Sequence, residues 1–236
     1  MDAGLPIRAF FTTREGGVSA PPYDSLNLAV HVGDEPHAVA TNRARVADAA
    51  GAPVTFLAAA HGIAVARVGA PGQSPPTADA LVTSVAGVAV AAIAADCVPV
   101  LVHDDATGAV AAVHAGREGL FAGVIDAALA EMLDLRRAGA AHGRMRASIG
   151  PAICGLCYEV PADMRARVAG RHPAAFATTR EGTAALDLPR AIEARLSELG
   201  VGEIVRVQEC TAESPRLFSH RRDGVTGRFA GVAVCE

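Results

Sequence analysis

Residues 88–116 read VAVAAIAADCVPVLVHDDATGAVAAVHAG, and this stretch decides the fold class of the 236-residue chain. Short apolar runs separated by polar or glycine-containing breaks are typical of β-strands. Three such runs lie in it: Val88–Ala94, Val98–Val102 and Ala109–His114. Runs that are apolar on both faces indicate strands covered on both sides. Asp96 and Pro99 interrupt the stretch, so buried strands fit it better than a membrane span.

Outward from this stretch, strand and helix patterns alternate. Further strands are expected at Ile7–Thr12, Val54–Leu57, Ala64–Val68, Ala80–Thr83, Met145–Ile149, Ile204–Gln208 and Phe229–Cys235. Helices are expected at Pro36–Ala50, Gly119 to about Arg137, Pro161–Val168 and Leu188–Leu199, and a loop at Gly69–Thr77. Asp34 and Asp187 are the expected N-caps of the first and last helix, which Gly51 and Gly200 end. With no repeat or linker, residues 1–236 are predicted to form one α/β domain.

All 21 basic side chains are arginine, because the chain contains no lysine. This composition excludes Schiff-base lysine catalysis and phosphate loops that end in Gly-Lys-Ser or Gly-Lys-Thr. Any bound phosphate must therefore be held by arginine, by backbone amides or by a metal. The net charge of −4 argues against nucleic acid as a partner.

The first residues, Met1-Asp2-Ala3-Gly4, lack the basic and apolar segments of a signal peptide. Five cysteines without such a signal favour reduced thiols. We therefore expect a cytoplasmic protein with no membrane contact, as a monomer or a homodimer.

Three potential metal ligands lie at probable strand ends beside small residues: His61, Cys97 and His114. Two histidines and a cysteine can form a catalytic zinc site with an open fourth position. Their spacings are too wide for a zinc finger but suit ligands that a sheet brings together. Spacing alone leaves two alternatives open, an inert buried cysteine and a Cys97–His114 nucleophile pair.

Ten short motifs, in order along nearly the whole chain, resemble those of the YfiH family, also called the laccase-domain or polyphenol oxidase family. They are FFTTREGGVS (10–19), YDSLNL (23–28), His61-Gly62, DALVT (79–83), ADCVPVL (95–101), AAVHAG (111–116), IGPAI (149–153), CYEV (157–160), CT (210–211) and RRDGVTGR (221–228). The combination of ADCVP with a following VHAG is the most specific of these signals.

The resemblance implies a single α/β domain with layered mixed β-sheets and outer helices. This fold is similar to the catalytic domain of cytotoxic necrotizing factor toxins, which use a Cys–His pair for deamidation. The resemblance also implies a catalytic metal site of His61, Cys97 and His114, which usually holds zinc, with copper as the alternative metal. Family members are described as phosphorylases of adenosine, inosine, guanosine and methylthioadenosine that also deaminate adenosine. Others are described as peptidoglycan editing factors or copper-dependent laccases.

The leading hypothesis is therefore a zinc-dependent purine nucleoside phosphorylase with adenosine deaminase activity, whose partners are purine nucleosides and phosphate. One alternative is a hydrolase or amidase of peptidoglycan precursor editing, with Cys97 as nucleophile and His114 as base. Another is a non-catalytic relative. A copper-dependent polyphenol oxidase ranks last, because multicopper oxidases need several His-rich sites and the eight histidines here are scattered.

Arginine suits phosphate because its planar fork donates two parallel hydrogen bonds. The candidates are Arg14, which precedes the flexible Gly16-Gly17 and is the first choice, and Arg221, Arg222 and Arg228 near the C-terminus. Asn27 is a candidate for binding substrate, and its alternative is a turn residue that bonds its own backbone.

Three departures from the family pattern concern the rim of the expected site. Ala59-Ala60 replace Gln-Val, Arg117-Glu118 replace Trp-Arg, and His220 replaces a Tyr. We expect substrate preference to differ, because a stacking surface is lost and Glu118 brings negative charge towards a phosphate.

Two further features are assigned structural roles. Asp96 neighbours Cys97 in a strand pattern, so its side chain is expected on the opposite face. Cys154 and Cys157 form a CxxC that lacks a second CxxC and follows Gly150-Pro151, which favours neither a redox nor a zinc role.

Overall fold

The computed structural model of the protein describes residues 1–73, 77–136 and 143–236. Its strands are β1 (Ala9–Phe11), β2 (Val54–Phe56), β3 (Val65–Arg67), β4 (Ala80–Thr83), β5 (Val88–Ala94), β6 (Val98–Asp104), β7 (Val110–Ala115), β8 (Met145–Ile149), β9 (Phe176–Thr178), β10 (Ala184–Leu186), β11 (Glu203–Arg206) and β12 (Phe229–Cys235). Its helices are α1 (Pro36–Ala50), α2 (Arg117–Ala122), α3 (Val124–Asp134), α4 (Ala162–Arg171), α5 (Leu188–Glu198) and α6 (His220–Asp223).

Two mixed sheets form the centre of the structure. The larger has the order β11-β8-β6-β7-β4-β3 and the smaller β1-β12-β5-β2, while β9 and β10 form a separate pair. Parallel pairs join β11 to β8, β3 to β4 and β2 to β5, and the other pairs are antiparallel.

The sheets pack face to face, and helices cover their outer faces. Alternate residues of β5 and β12 meet residues of β4, β6 and β7 in one buried cluster between the sheets. The outer face of the smaller sheet packs on α1, and that of the larger sheet packs on α2, α3 and α5. Every residue of β5, β6 and β7 is buried. This single-domain α/β architecture of layered mixed sheets with outer helices confirms the expected fold class.

Two local predictions at helices are wrong. The helix expected from Gly119 is two helices, because Gly123 adopts a left-handed φ of 106° between α2 and α3. Asp34 does not cap α1: the N-cap is Glu35, without a side-chain bond, and the Asp34 carboxylate accepts from Ser19 and Asn27.

The cap of α5 is as predicted, since the Asp187 side chain accepts from the Arg190 amide at 2.9 Å. Parts of the predicted loop Gly69–Thr77, the predicted helix end at Arg137, and His142 lie outside the described residues. Among the described helices, none has the length and apolar character needed to span a bilayer.

Candidate metal centre

The three expected ligands meet at the ends of β6 and β7, the two central strands of the larger sheet. Strands β6 and β7 are antiparallel with Pro99 opposite His114, so the residue before β6 and the end of β7 lie together. His61 reaches the same strand ends from the loop between β2 and β3. One ligand atom from each of His61, Cys97 and His114 can be chosen so that all lie within 4.8 Å of one another.

His114 is oriented as metal-binding histidines usually are. Its Nδ1 lies 2.8 Å from the carbonyl oxygen of Ile93, so the neutral ring donates there and leaves a lone pair on Nε2. Nε2 is buried and has no hydrogen-bond partner. Burial lowers the pKa of His114 to about 4, so the ring is neutral at physiological pH. An unpaired buried lone pair is costly unless a proton donor or a cation meets it.

Cys97 completes the donor set from the β5–β6 turn. Burial, with a smaller contribution from the charge of Asp96, raises the pKa of its thiol to about 12. A divalent cation would offset that cost and stabilise the thiolate, since metals bind cysteine in its deprotonated form. Two imidazoles and one thiol suit zinc, and leave a fourth position open.

Asp79 holds the loop that presents His61. Its fully buried carboxylate accepts from the amides of Ala60 at 2.9 Å and Ala64 at 3.3 Å. Its backbone carbonyl accepts from the His114 amide at 2.7 Å, so one residue positions both histidines. His61 itself has a φ of 60°, and its ring meets that of His114 edge-on at 4.9 Å between centroids. Such backbone conformations persist only where the surroundings enforce them.

Gly116 leaves room for the three ligands. A Cβ there would lie 3.0 Å from the Cys97 sulfur, 3.2 Å from His61 Cδ2 and 3.7 Å from His114 Nε2. The backbone of Gly116 has ordinary extended angles, φ −81° and ψ 175°. Glycine is therefore required here by the space around the ligands and not by the backbone conformation.

Asp96 has a structural role beside the site. Its carboxylate accepts from Thr211 Oγ1 at 2.6 Å, Ser219 Oγ at 2.7 Å and the Arg221 amide at 2.6 Å. These bonds tie the C-terminal loop to the β5–β6 turn. The expected strand placement of Asp96 is wrong, because Asp96 lies in this turn with a φ of 91° and lines the same cavity as Cys97.

A cavity of about 280 Å³ opens from the three ligands. Its other lining residues are His31, Ala59, Ile93, Ala95, His220 and Arg228. A second cavity of about 200 Å³ shares Ala95, Cys97 and His220 with the first. Arg117, Tyr158 and Arg221 line this second cavity, so three arginines surround the space around Cys97.

The arginines of the second cavity flank one aromatic ring. Arg221 stacks on the ring of Tyr158 at 5.1 Å and donates to the Glu159 carbonyl at 3.0 Å. Burial raises the pKa of Tyr158, and the charges of Arg117 and Arg221 oppose that shift. The Glu118 carboxylate contacts Arg117 at 2.5 Å and Arg167 at 3.7 Å, so its charge is paired.

Of the arginines predicted for phosphate, Arg221 and Arg228 line this space, whereas Arg14 and Arg222 are occupied elsewhere. Arg14 pairs with Asp24 at 3.1 Å, stacks on Phe218 and lines a separate open cavity. Arg222 donates to three backbone carbonyls and pairs with Asp223.

Asn27 is fully buried and bonded within the protein. Its amide nitrogen donates to the Ala29 carbonyl and to Asp34, and its oxygen accepts from the amides of Ala29 and Arg228. This is the bonding of a turn residue, and it gives no support to a substrate contact.

From the sequence, His31 received no site role, and His220 and Arg117 were noted only as departures at the rim, although all three line the joined cavities. The first two are exposed loop or helix-start residues, and no periodicity marks them. Arg117 directly follows the VHAG motif, and this position in the sequence could have indicated that it lies near the ligands.

Together the fold and the site define an α/β protein of two packed sheets with a His-Cys-His group that can hold a metal ion. The family described as multi-copper polyphenol oxidoreductase laccase matches residues 8–236. The chain belongs to this laccase-like family, among whose proteins are some named YfiH.

Relatives and solved structures agree over almost the full length. A purine nucleoside phosphorylase of Streptomyces coelicolor is 50% identical over 226 residues, which cover 94% of this chain and 92% of the relative. A Neisseria meningitidis protein of the DUF152 family has a TM-score of 0.83 at 38% identity, covering 97% of this chain and 94% of that one. Bacillus licheniformis YfiH has a TM-score of 0.81 at 31% identity, covering 97% and 92%.

Proposed function

We propose that this chain is a zinc-dependent purine nucleoside phosphorylase with adenosine, inosine, guanosine and methylthioadenosine as candidate substrates. The observation that carries the proposal is the unpaired, buried Nε2 of His114 beside Cys97 and His61, at the wall of a cavity that Arg228 also lines. The relatives named purine nucleoside phosphorylase, at up to 50% identity, support the same activity.

Phosphorolysis breaks the bond between C1′ of the sugar and the purine nitrogen, and forms a bond between C1′ and a phosphate oxygen. The products are the free purine, which takes up a proton, and a sugar 1-phosphate. The protein must therefore hold a dianion against a neutral nucleoside and stabilise negative charge on the departing base. When bound, zinc would supply a Lewis acid for that negative charge.

Arginine holds the phosphate in this proposal, since the chain has no lysine to do so. Arg228 lines the cavity of the three ligands, and burial lowers the pKa of its guanidinium while Cys97 and Asp96 oppose the shift. Arg117 and Arg221 line the adjoining cavity, where their guanidinium groups flank Tyr158. The half-buried Arg228 guanidinium would bind phosphate more strongly than an exposed one, because the local dielectric is lower, whereas Arg221 is exposed.

Adenosine deamination is the second activity that we propose for this site. Water adds at C6 of the purine and ammonia leaves, so no phosphate is consumed. The same cavity would hold the base for both reactions, and the presence or absence of phosphate separates them in an assay.

The test uses the full chain, purified without added metal. Each of the four nucleosides is incubated with and without phosphate, and free base, sugar 1-phosphate and inosine from adenosine are measured by chromatography. We expect phosphate-dependent release of base, abolished by His61→Ala and retained by the matched His37→Ala, which replaces an exposed histidine on α1.

Failure to release base from any of the four nucleosides overturns the proposal. Elemental analysis tests the metal: about one zinc that His61→Ala removes supports it, and copper in its place contradicts the zinc assignment. An active protein that is free of metal and is inactivated by alkylation of Cys97 would establish the cysteine hydrolase instead.

A further inference from the structure

A second group of potential metal ligands lies apart from the first. One ligand atom from each of Cys154, Cys157, Cys210 and Glu213 can be chosen so that all lie within 4.8 Å of one another. Cys154, Cys210 and Glu213 border a cavity of about 300 Å³ that does not include His61, Cys97 or His114. None of the three cysteines forms a disulfide.

Two similar turns present these four side chains. In the first, the amides of Cys157 and Tyr158 donate to the Cys154 carbonyl at 3.0 Å and 2.9 Å. In the second, the amides of Glu213 and Ser214 donate to the Cys210 carbonyl at 3.2 Å and 2.9 Å. Each turn places residues i and i+3 on one side, so the ligand pattern is Cys-x2-Cys followed by Cys-x2-Glu.

The turns are bonded to each other through a sulfur atom. The Cys154 amide donates to the Cys210 sulfur at 3.3 Å, and Ala152 pairs with Cys210 in a parallel bridge. Paired turns with an x2 spacing, joined by a bond from an amide to sulfur, are typical of structural zinc sites. The CxxC lacks a second CxxC in the sequence, but the fold supplies Cys210 and Glu213 in its place.

We propose that Cys154, Cys157, Cys210 and Glu213 bind a second zinc ion in a closed, tetrahedral site. Three sulfur donors select a soft or borderline metal, and a carboxylate as fourth ligand favours zinc over copper(I).

One basic residue, Arg180, offsets part of the charge of the group. Three thiolates and a carboxylate carry four negative charges against two on the ion. Arg180 forms an ion pair with Glu213 and donates towards the Cys157 sulfur at 3.6 Å. A carboxylate has two oxygens, so Glu213 can bind a metal with one and Arg180 with the other. Arg206 also lines the cavity, but it pairs with Asp187 at 3.5 Å and Glu193 at 3.6 Å.

The second site would fix the loops that support Cys97. Thr211, next to Cys210, donates to the Asp96 carboxylate at 2.6 Å, and the Ile153 amide, next to Cys154, donates to the Asp96 carbonyl at 3.1 Å. An ion that joins the two turns therefore holds both neighbours of Asp96 in place. Its role is that of a structural clamp, whatever reaction the first site performs.

The first test is metal content, which does not depend on the proposed activity. We expect about two zinc ions per wild-type chain, and about one in both Cys154→Ser/Cys157→Ser and His61→Ala/His114→Ala. Serine keeps the size and removes the thiolate, so circular dichroism checks the fold of each variant. One zinc in the wild type that Cys154→Ser/Cys157→Ser retains overturns the proposal.

Cobalt(II) substitution provides a second readout, because the thiolate-to-cobalt absorption band scales with the number of sulfur ligands. The first group has one cysteine and the second has three. The band should therefore fall by about three quarters in the variant of the second group and about one quarter on Cys97→Ser. Should the double variant not fold, the wild-type cobalt titration decides: saturation at two ions with four thiolates supports the site, and saturation at one ion with the band of a single thiolate overturns it.

Discussion

Gly116→Ala should weaken metal binding at the first site while leaving the fold intact. The added methyl would lie 3.0 Å from the Cys97 sulfur and 3.2 Å from His61 Cδ2. Ordinary contacts between heavy atoms begin at about 3.5 Å, so the two ligands must retreat by about 0.5 Å and about 0.3 Å. Metal–ligand distances tolerate only about 0.2 Å.

The expected loss of zinc affinity is about 10- to 100-fold, the usual effect of disturbing groups that orient metal ligands. This corresponds to about 1.4–2.8 kcal/mol. Stability should change little, because alanine adopts the backbone angles of Gly116 without strain. Gly116 is the N-cap of α2, where alanine is slightly less favourable than glycine. Alanine also makes the unfolded chain less flexible, which slightly stabilises the fold, so the net change in the free energy of unfolding should stay within about 1 kcal/mol.

The assay is a competition titration with a zinc chelator, beside thermal unfolding of the metal-free proteins. Gly69→Ala is the matched control, since a Cβ there meets no atom within 4 Å and the backbone φ is not positive. We expect Gly69→Ala to bind zinc as the wild type does. Wild-type zinc affinity in Gly116→Ala would refute the assignment of the three ligands around this glycine.

Three further predictions concern other residues. Asp79→Ala removes the acceptor of the Ala60 and Ala64 amides, and should lower zinc affinity about 10- to 100-fold and destabilise the fold by about 1–3 kcal/mol, measured by chelator competition and urea unfolding. Arg221→Ala should raise the KM for phosphate at least about tenfold with little change for the nucleoside; a larger effect from Arg14→Ala would place the phosphate elsewhere. Burial alone would raise the pKa of Asp104, but hydrogen bonds from Arg136 and from the turn that contains Asp104 lower this pKa below its usual value. The ionised carboxylate therefore stabilises the fold at pH values above its unfolded pKa of about 4. This stabilisation is lost as the pH falls through the lower pKa of the folded state. Asp104→Asn should therefore unfold at lower urea than the wild type at pH 7, and the difference should shrink below about pH 4.

The strands were predictable because valine-rich runs with both faces apolar have few alternatives. Val88–Ala94 and Met145–Ile149 have the predicted bounds, and β7 differs by one residue at each end. The break at Gly123 was not predictable, since the apolar stripe continues across it and only the left-handed φ of the glycine ends the first helix. Hydrophobic periodicity reports which face is buried and not whether the axis bends.

The candidate ligands were predictable for a topological reason. Cys97 directly precedes β6, and His114 lies one residue before the end of the antiparallel β7, so positions at opposite strand ends become neighbours in space. The arginines were harder to assign because they come from loops whose paths depend on distant partners. Arg14 sits beside a flexible glycine pair in the sequence, but Asp24 and Phe218 hold it outside the cavity.

The contacts of Arg117 and Glu118 differ from what this departure from the family pattern suggested in the sequence. From the sequence, Glu118 brings a negative charge towards a phosphate, but its carboxylate is paired with Arg117 and Arg167. Arg117 stands where the family commonly has Trp, and with Arg221 it flanks Tyr158 in the cavity beside Cys97. A flat stacking surface is thus replaced by a second guanidinium. Because the chain has no lysine, an added arginine favours the binding of an anion at that wall. We therefore expect Arg117→Trp to weaken phosphate binding while it leaves the zinc content unchanged.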